Sequence, residues 1–391
     1  MKKSLLLAAG AATLFLFSCK KDKKTDDSDL KIPYSSLSAT ANYLETFKGS
    51  DGNTSVSFTG QTQRIKMLQE LDAYIKKGTA QVLDAAKMED MFRHQNGPFA
   101  DAELNGATDK TIISKTAQSF ATAAAEVERQ RFLNYFEQLE TASANFGTAA
   151  VAGTAGYVEN GTSKYLVNEK GFEYAQFVQK GLIGAMLLDQ ISNIYLGTEK
   201  MAADNVAILD GKNYTALEHN WDEAYGYLTA NPTYPMKDPA DNTKWKEVFL
   251  GSYVRQVGFD AGEPQAIFMA YLTGRAAIVN KDLAKRNEQI NLIRTKYETA
   301  IATIAISYLN KTKSATSNGA KFHSLSEGIG FLYALRYANN AKVNTAKSDE
   351  LMNALMNKPN GFWDLTNADI DAVRDQIASL TGIDKNSVVN H

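Results

Sequence analysis

The sequence has very little cysteine, proline or excess charge. Its only cysteine is Cys19, which excludes an internal disulfide and a cysteine-rich metal centre. Proline occurs only seven times in 391 residues, so long uninterrupted helices are possible. The net charge is −2 and no stripe of basic residues occurs. This charge balance excludes a dedicated nucleic-acid-binding surface.

Common catalytic and nucleotide-binding motifs are also missing. No His-Glu-x-x-His, no Gly-x-Ser-x-Gly and no phosphate-binding loop ending in Gly-Lys-Ser/Thr occurs in the sequence. Gly328 and Gly330 could begin a Gly-x-Gly-x-x-Gly pattern, but Tyr333 stands at the last glycine position and no predicted strand precedes it. We therefore expect a protein that is not an enzyme.

The N-terminus has the pattern of a secretion signal. Lys2 and Lys3 precede an apolar run over residues 5–17, which is too short for a membrane span of about 20 apolar residues. The run leads to Cys19 in a segment that resembles a lipobox, where a signal peptide is cleaved before a lipid-bearing cysteine. We predict a signal peptide over residues 1–18, lipidation of Cys19 and anchoring in the outer membrane. Exposure to the periplasm or to the cell surface stays open.

A charged segment follows the cysteine. It reads KKDKKTDDSDL from Lys20 and is nearly free of apolar groups, so it cannot bury enough surface to order itself. We predict a flexible lipidated tether over residues 19–32. The rest of the chain is long enough for a large core, in one domain or two. We expect a first helical half over residues 33–205 and a second over residues 206–391.

Helix-forming residues dominate the chain after the tether. Apolar residues recur at three- and four-residue spacing, which predicts amphipathic helices. The segments with this pattern are residues 64–77, 111–142 (one helix or two), 172–196, 214–230, 264–281, 285–311, 323–339, 349–356 and 370–380. Residues 145–161 are rich in Gly, Ala and Thr and predict a loop. We therefore predict an all-α fold built from helical bundles.

Two segments of the sequence match each other. Residues 219–228 read HNWDEAYGYL, and residues 323–332 read HSLSEGIGFL. Both fit His-x-x-x-Glu-x-x-Gly-aromatic-Leu, and they contain two of the four histidines of the chain. Internal similarity of this kind reports architecture, so we predict a pseudo-repeat with one copy in each half.

The histidine, glutamate and glycine of each copy are spaced to share one face of a helix. A glycine on that face suggests that another helix comes close. Each His/Glu pair could be a local surface contact, a buried pair that bonds to another helix, or two ligands of a metal, since imidazole and carboxylate suit zinc, iron or manganese. Facing helices would form one shared site, and separate helices would form two half-sites. The candidate ligands are His219, Glu223, His323 and Glu327.

Two further side chains could support such a site. Arg275 lies in an apolar helical segment, where a buried arginine needs a carboxylate partner, and Glu223 or Glu327 are candidates. Asp222 and Glu218 are near the first pair in sequence, but the helical period directs them to other faces.

Three segments resemble a known family of lipoproteins. They are GQTQRIKML over residues 60–68, EHNWDEAYGY over residues 218–227 and FHSLSEG over residues 322–328. They resemble the domain-of-unknown-function 4856 family, and the resemblance covers the chain from residue 33 onward. This family looks related to the imelysin-like proteins, which are built from two helical bundles and are associated with bacterial iron uptake.

The imelysin motif is Gly-x-His-x-x-Glu, and the matching segment here is LEHNWD over residues 217–222. Leucine replaces the glycine, and Asp222 occupies the glutamate position with Glu223 next to it. By this resemblance His219 is a metal ligand, and either Asp222 or Glu223 is its partner. The departure from the motif gives no support to the peptidase activity described for some imelysin-like proteins.

These patterns predict a lipid-anchored, non-catalytic envelope protein that binds a metal, iron or zinc, as a component of iron uptake. The alternative is an interaction lipoprotein that partners an outer-membrane transporter. In that alternative the two His/Glu pairs are purely structural and hold helices together.

Overall fold

Helices make up most of this computed structural model, which describes residues 26–236, 247–259, 266–339 and 342–388. The predicted signal peptide, Cys19 and the tether as far as residue 25 lie outside the described residues. The α-helices in the described part are α1 (Tyr43–Thr46), α2 (Thr59–Ile75), α3 (Ala85–Arg93), α4 (Ala102–Gly106), α5 (Thr122–Ser143), α6 (Tyr174–Leu182), α7 (Thr198–Met201), α8 (Ala216–Leu228), α9 (Phe249–Gln256), α10 (Ile267–Val279), α11 (Leu283–Lys313), α12 (Asn318–Ala334), α13 (Thr345–Met356) and α14 (Asn367–Thr381). The predicted all-α class is confirmed.

Other helical turns extend or connect these elements. Helix α6 continues directly into two π-helical segments, Ile183–Leu188 and Gln190–Tyr195. The prediction of a buried helix over residues 172–196 is therefore confirmed, with the addition that its second part has wider turns. The 3₁₀ turns are Asp27–Asp29, Tyr34–Ser36, Lys76–Thr79, Ile113–Lys115, Leu335–Tyr337 and Gly361–Asp364.

A β-hairpin lies where a loop was predicted. Strands β1 (Gly156–Asn160) and β2 (Ser163–Val167) pair antiparallel, with Gly156 opposite Val167 and Asn160 opposite Ser163. The prediction of a loop over residues 145–161 is therefore wrong for β1. The two turn residues are Gly161 and Thr162, and Gly161 has a positive φ of 60°. This glycine was the available signal, because a two-residue hairpin turn favours residues with positive φ.

The predicted helix over residues 111–142 is shorter in the structure, where α5 begins only at Thr122. The preceding segment forms a 3₁₀ turn and also donates hydrogen bonds to residues 185 and 189, in and next to the first π-helical segment. Ala117 N donates to the Ala185 carbonyl oxygen at 2.7 Å, and Ser119 N donates to Asp189 Oδ2 at 3.0 Å. These long-range contacts hold residues 116–121 out of the helix.

Buried hydrophobic side chains form a cluster that extends through both predicted halves, from Tyr43 to Ala378. Helix α12 lies within it, packed against α6 on one side and α11 on the other. The boundary at residue 205 and the pseudo-repeat stay predictions. None of the helices among the described residues has the length and the apolar character that a membrane span requires.

The described chain enters the fold at the junction of α10 and α11. Ile32 N donates to Asn280 Oδ1 at 2.9 Å, and Asn280 Nδ2 donates back to the Ile32 carbonyl oxygen at 2.8 Å. Tyr34 Oη donates to Asp282 Oδ2 at 3.0 Å. The end of the predicted tether is thus attached to this junction.

Candidate functional site

Helix α8 carries the first His/Glu pair and has a well-defined start. Thr215 Oγ1 accepts a hydrogen bond from Glu218 N at 3.3 Å, and the Glu218 carboxylate accepts one from Thr215 N at 2.8 Å. This reciprocal capping box fixes the first turn of the helix. His219 and Glu223 therefore lie one turn apart on the same face, as their spacing predicts.

The imidazole of His219 is held by stacking rather than by hydrogen bonds. It stacks on the ring of Tyr214 with the centroids 4.9 Å apart. Its Nε2 lies 3.8 Å from Glu223 Oε2, which is too far for a hydrogen bond, and its Nδ1 has no hydrogen-bond partner among the described residues. Stacking therefore positions the imidazole, and no described side chain takes up its hydrogen-bonding nitrogens.

The carboxylate of Glu223 is oriented by two other helical segments. Its Oε1 accepts hydrogen bonds from Gln61 Nε2 on α2 at 2.8 Å and from Tyr195 Oη, at the end of the π-helix, at 3.2 Å. Burial, together with the charge of Glu223, raises the pKa of Tyr195, so its hydroxyl stays protonated and donates. Three helical elements thus converge on this carboxylate.

Both members of this pair line a cavity of about 600 Å³. The beginning of α2 and parts of the segment over residues 107–115 form further walls, and Lys212 and Tyr214 complete them. A concave polar site of this size, with side chains from several elements, has the dimensions of a small-molecule pocket.

The second pair, on α12, belongs to a closed network. His323 Nδ1 lies 2.7 Å from Glu173 Oε2, its ring stacks on Tyr165 at 4.0 Å, and its Nε2 lies 3.5 Å from Glu327 Oε2. Burial alone would lower the pKa of His323, but the hydrogen bond to Glu173 and the charges of both glutamates raise it above its usual value. The two carboxylates therefore stabilise the protonated form of His323.

Lys180 on α6 completes this network. Its Nζ lies 3.0 Å from Glu327 Oε1 and donates to Gln176 Oε1 at 2.7 Å, while Gln176 Nε2 donates to Glu173 Oε1 at 2.8 Å. Glu327 is 6% exposed and Lys180 is 3% exposed. Because buried charges persist only when they are paired, this network ties α6 to α12.

The glycine of each copy lies at a close contact between helices. A Cβ at position 226 would lie 2.5 Å from Phe58 Cβ at the start of α2. A Cβ at position 330 would lie 2.5 Å from Lys180 Cβ on α6. The expectation that Gly226 and Gly330 let a neighbouring helix come close is therefore confirmed.

The two pairs lie in different places in the fold. Helix α8 packs against α2, α7 and α10, whereas α12 packs against α6, α11 and α13. His323 lines a second cavity, of about 340 Å³, that shares no lining residue with the first. Across the described residues, no group of three or more His, Cys, Asp or Glu side chains is placed to hold a metal ion. The structure thus separates the two pairs, and metal ligation by either of them stays a prediction.

Arg275 is buried as expected, but with different partners. Its Nε donates to Asp222 Oδ1 at 3.0 Å and its Nη1 donates to Glu218 Oε1 at 2.9 Å. The expectation that Glu223 or Glu327 would pair with it is wrong. Positions 218 and 222 are one turn apart and present their carboxylates together on the face of α8 that packs against α10.

Asp222 therefore belongs to a structural cluster and does not line the His219 cavity. Its Oδ1 also accepts a hydrogen bond from Tyr43 Oη at 2.8 Å, and Arg275 Nη2 donates to Ser55 Oγ at 3.2 Å. Burial raises the pKa of Asp222 to about 7, against the opposing effect of the guanidinium. Of the two acids that the imelysin motif allows, only Glu223 faces the cavity with His219.

Comparison with known families agrees with the resemblance seen in the sequence. The profile of the family described as "Domain of unknown function (DUF4856)" matches residues 43–384. The chain belongs to the DUF4856 family. The DUF4856 match includes both His/Glu pairs and begins at Tyr43, which bonds to Asp222. No curated protein and no solved structure matches the chain, and a relationship to imelysin-like proteins is not shown by these comparisons.

Sequence reasoning did not find the side chains that hold the two pairs in this DUF4856 protein. Gln61 and Tyr195 orient Glu223, while Glu173 and Lys180 enclose the second pair. A lysine inside the strongly apolar segment over residues 172–196 was a usable signal, because a buried ammonium needs an acidic partner.

Proposed function

We propose that this protein is a lipid-anchored, non-catalytic binding protein of the outer membrane that takes up a metal, iron foremost, in the cavity beside His219 and Glu223. One observation carries the proposal. Of the two His/Glu pairs, only this one has both members in a cavity wall, with an imidazole that makes no hydrogen bond to the described residues.

The donor types fit this cargo. Imidazole and carboxylate are ligands of iron and zinc, and two protein donors leave the remaining coordination positions to water or to a ligand that accompanies the metal. Gln61 and Tyr195 donate hydrogen bonds to the Glu223 carboxylate, and hydrogen bonds of this kind commonly orient the ligands of a metal. An incomplete set of protein ligands also suits a metal that has to be released.

The proposed localisation in the outer membrane rests on the sequence. The lipobox-like segment ending at Cys19 and the charged tether over residues 19–32 support attachment to the membrane through an N-terminal lipid. The resemblance to imelysin-like proteins supports a role in iron uptake, beside an outer-membrane transporter or another uptake protein.

A second candidate is a structural or interaction lipoprotein that binds an outer-membrane transporter. The observation that favours it is the second pair. There Glu173 pairs with His323 and Lys180 pairs with Glu327 in a buried network, so neither member is available to a ligand. If the first pair acted in the same way, neither pair would bind a ligand.

Titration of Fe²⁺, Fe³⁺ and Zn²⁺ into the lipid-free chain after Cys19 tests the proposal by calorimetry. We expect binding at micromolar or lower concentration that is lost in a folded His219→Ala variant. His323→Ala is the matched control, and it should keep the affinity while lowering the melting temperature. Absence of heat with all three metals, or equal loss in both variants, would favour the structural candidate.

A further inference from the structure

The cavity beside His219 is lined by more basic than acidic side chains. The basic residues are Arg64, Lys110, Lys115 and Lys212, and the acidic ones are Asp109 and Glu223. Lys110 pairs with Asp109. Over the part of the chain that the structure describes, no carboxylate lies within 4.0 Å of the cationic groups of Arg64, Lys115 or Lys212. The cavity therefore carries positive charge that the described protein does not neutralise.

Arg64 is the most deeply placed of these cations. It is 6% exposed, and two backbone carbonyl oxygens fix its guanidinium, that of Thr111 at 3.2 Å from Nε and that of Gly60 at 3.2 Å from Nη1. A guanidinium carries five N–H donors, and its planar geometry matches carboxylate and phosphate groups. A buried, immobilised arginine without an acidic partner is costly unless something else supplies the anion.

Lys115 shows the effect of this clustering. Its Nζ reaches Gln118 Oε1 at 3.2 Å and no described carboxylate. Burial, followed by repulsion from Arg64, lowers the pKa of Lys115 to about 8, while Glu223 acts in the opposite direction. An anion in the cavity would relieve this repulsion. The first turn of α2, over residues 59–61, lies in the same wall, and the N-terminus of a helix carries partial positive charge.

We infer that this cavity binds a small molecule through its oxyanion groups, carboxylate or phosphate, which Arg64, Lys115 and Lys212 contact. The inference rests on the proposed function in taking the His219 cavity as the ligand site, and it defines the chemical form of the cargo. A bare metal cation entering this cavity would meet three basic side chains that no described carboxylate neutralises. A metal carried inside an anionic polycarboxylate or phosphate complex would meet opposite charge, with His219 and Glu223 free to complete its coordination.

Calorimetric titrations with citrate, inorganic phosphate and ferric citrate test this inference on the metal-free, lipid-free chain. We expect citrate or phosphate to bind without metal, and ferric citrate to bind more tightly than citrate if the carboxylate arm is the correct one. Lys115→Gln and Lys212→Gln should each weaken binding about tenfold or more, since a hydrogen bond to a charged group contributes on this scale. The matched control is Lys66→Gln, an exposed lysine on α2 outside the cavity, which should leave the affinity unchanged.

The outcomes separate this inference from the proposed function. Binding of citrate or phosphate that weakens in the two cavity variants but not in the control supports an oxyanion site, even if free metals do not bind. Metal binding that both cavity variants retain, with no heat from citrate or phosphate, would overturn the oxyanion site and leave the metal proposal standing. If Lys66→Gln weakened the binding of citrate or phosphate as much as the cavity variants do, the effect would come from net charge alone. That result would also overturn the oxyanion site. Thermal melting checks that the variants fold, and Lys212 is exposed, so its replacement leaves the core intact.

Discussion

Two glycines of α12 offer a paired test of how tightly this helix packs. A Cβ at position 330 would lie 2.5 Å from Lys180 Cβ and 3.0 Å from the Gln176 carbonyl oxygen, closer than packed atoms normally come. A Cβ at position 328 would meet Leu309 Cδ2 at 3.4 Å, an ordinary contact. Alanine in place of a helical glycine gains about 1 kcal/mol. Overpacking a core costs about 1–3 kcal/mol.

We therefore expect Gly328→Ala to raise the free energy of unfolding by up to about 1 kcal/mol, and Gly330→Ala to lower it by up to about 2 kcal/mol after the same gain is subtracted. The two variants have the same composition and lie on the same helix, so each is the control for the other. Urea unfolding followed by circular dichroism measures both, with the m-value checking that the transition is comparable. Equal stabilisation by the two substitutions would refute the close packing of α6 on α12.

Two further predictions concern buried charge. Arg275→Met should lower the free energy of unfolding by about 3–5 kcal/mol, because it leaves the carboxylates of Asp222 and Glu218 without their cation; a loss within the error of urea unfolding would contradict a buried ion pair. The raised pKa of His323 means that its stabilising contribution is complete below its ordinary value of 6.5 and is lost as the pH rises through the higher folded-state value. Urea unfolding at a series of pH values should show the free energy of unfolding fall across that window. A His323→Gln variant should lose this fall. If the variant kept the same pH profile as the original chain, His323 and its contact with Glu173 would not be its cause.

The helical class could be predicted because apolar periodicity is a local property. The buried helix over residues 172–196 followed from its composition, and its π-helical bonding did not. The late start of α5 could not be predicted, since it depends on Ala117 and Ser119 bonding to residues near position 185. The missed hairpin is different, because the glycine of its turn, Gly161, is visible in the sequence and was outweighed by the small residues around it.

The candidate site was predictable only within each helix. The i, i+4 spacing brought each histidine near its glutamate, at 3.8 Å for the first pair and 3.5 Å for the second. The same sequence pattern nevertheless has two environments, because the environment is set by the helix opposite. Gln61, which is 162 positions away from Glu223, donates a hydrogen bond to it while the first pair still lines a cavity. Lys180, in contrast, forms an ion pair with Glu327 in the buried network of the second pair.

The π-helical segment after α6 also affects how the chain tolerates changes in length. Its hydrogen bonds span one residue more than those of an α-helix, so a given axial length holds additional residues. A one-residue deletion within Ile183–Leu188 can be absorbed by a return to α-helical bonding, with Tyr195 kept beside Glu223. Helix α8 has no π-helical turn that could absorb a deletion. A one-residue deletion in α8 before Glu223 would rotate the Glu223 side chain by about 100° around the helix axis, away from the cavity. Single-residue deletions among DUF4856 proteins are therefore expected in the π-helical segment and not in α8.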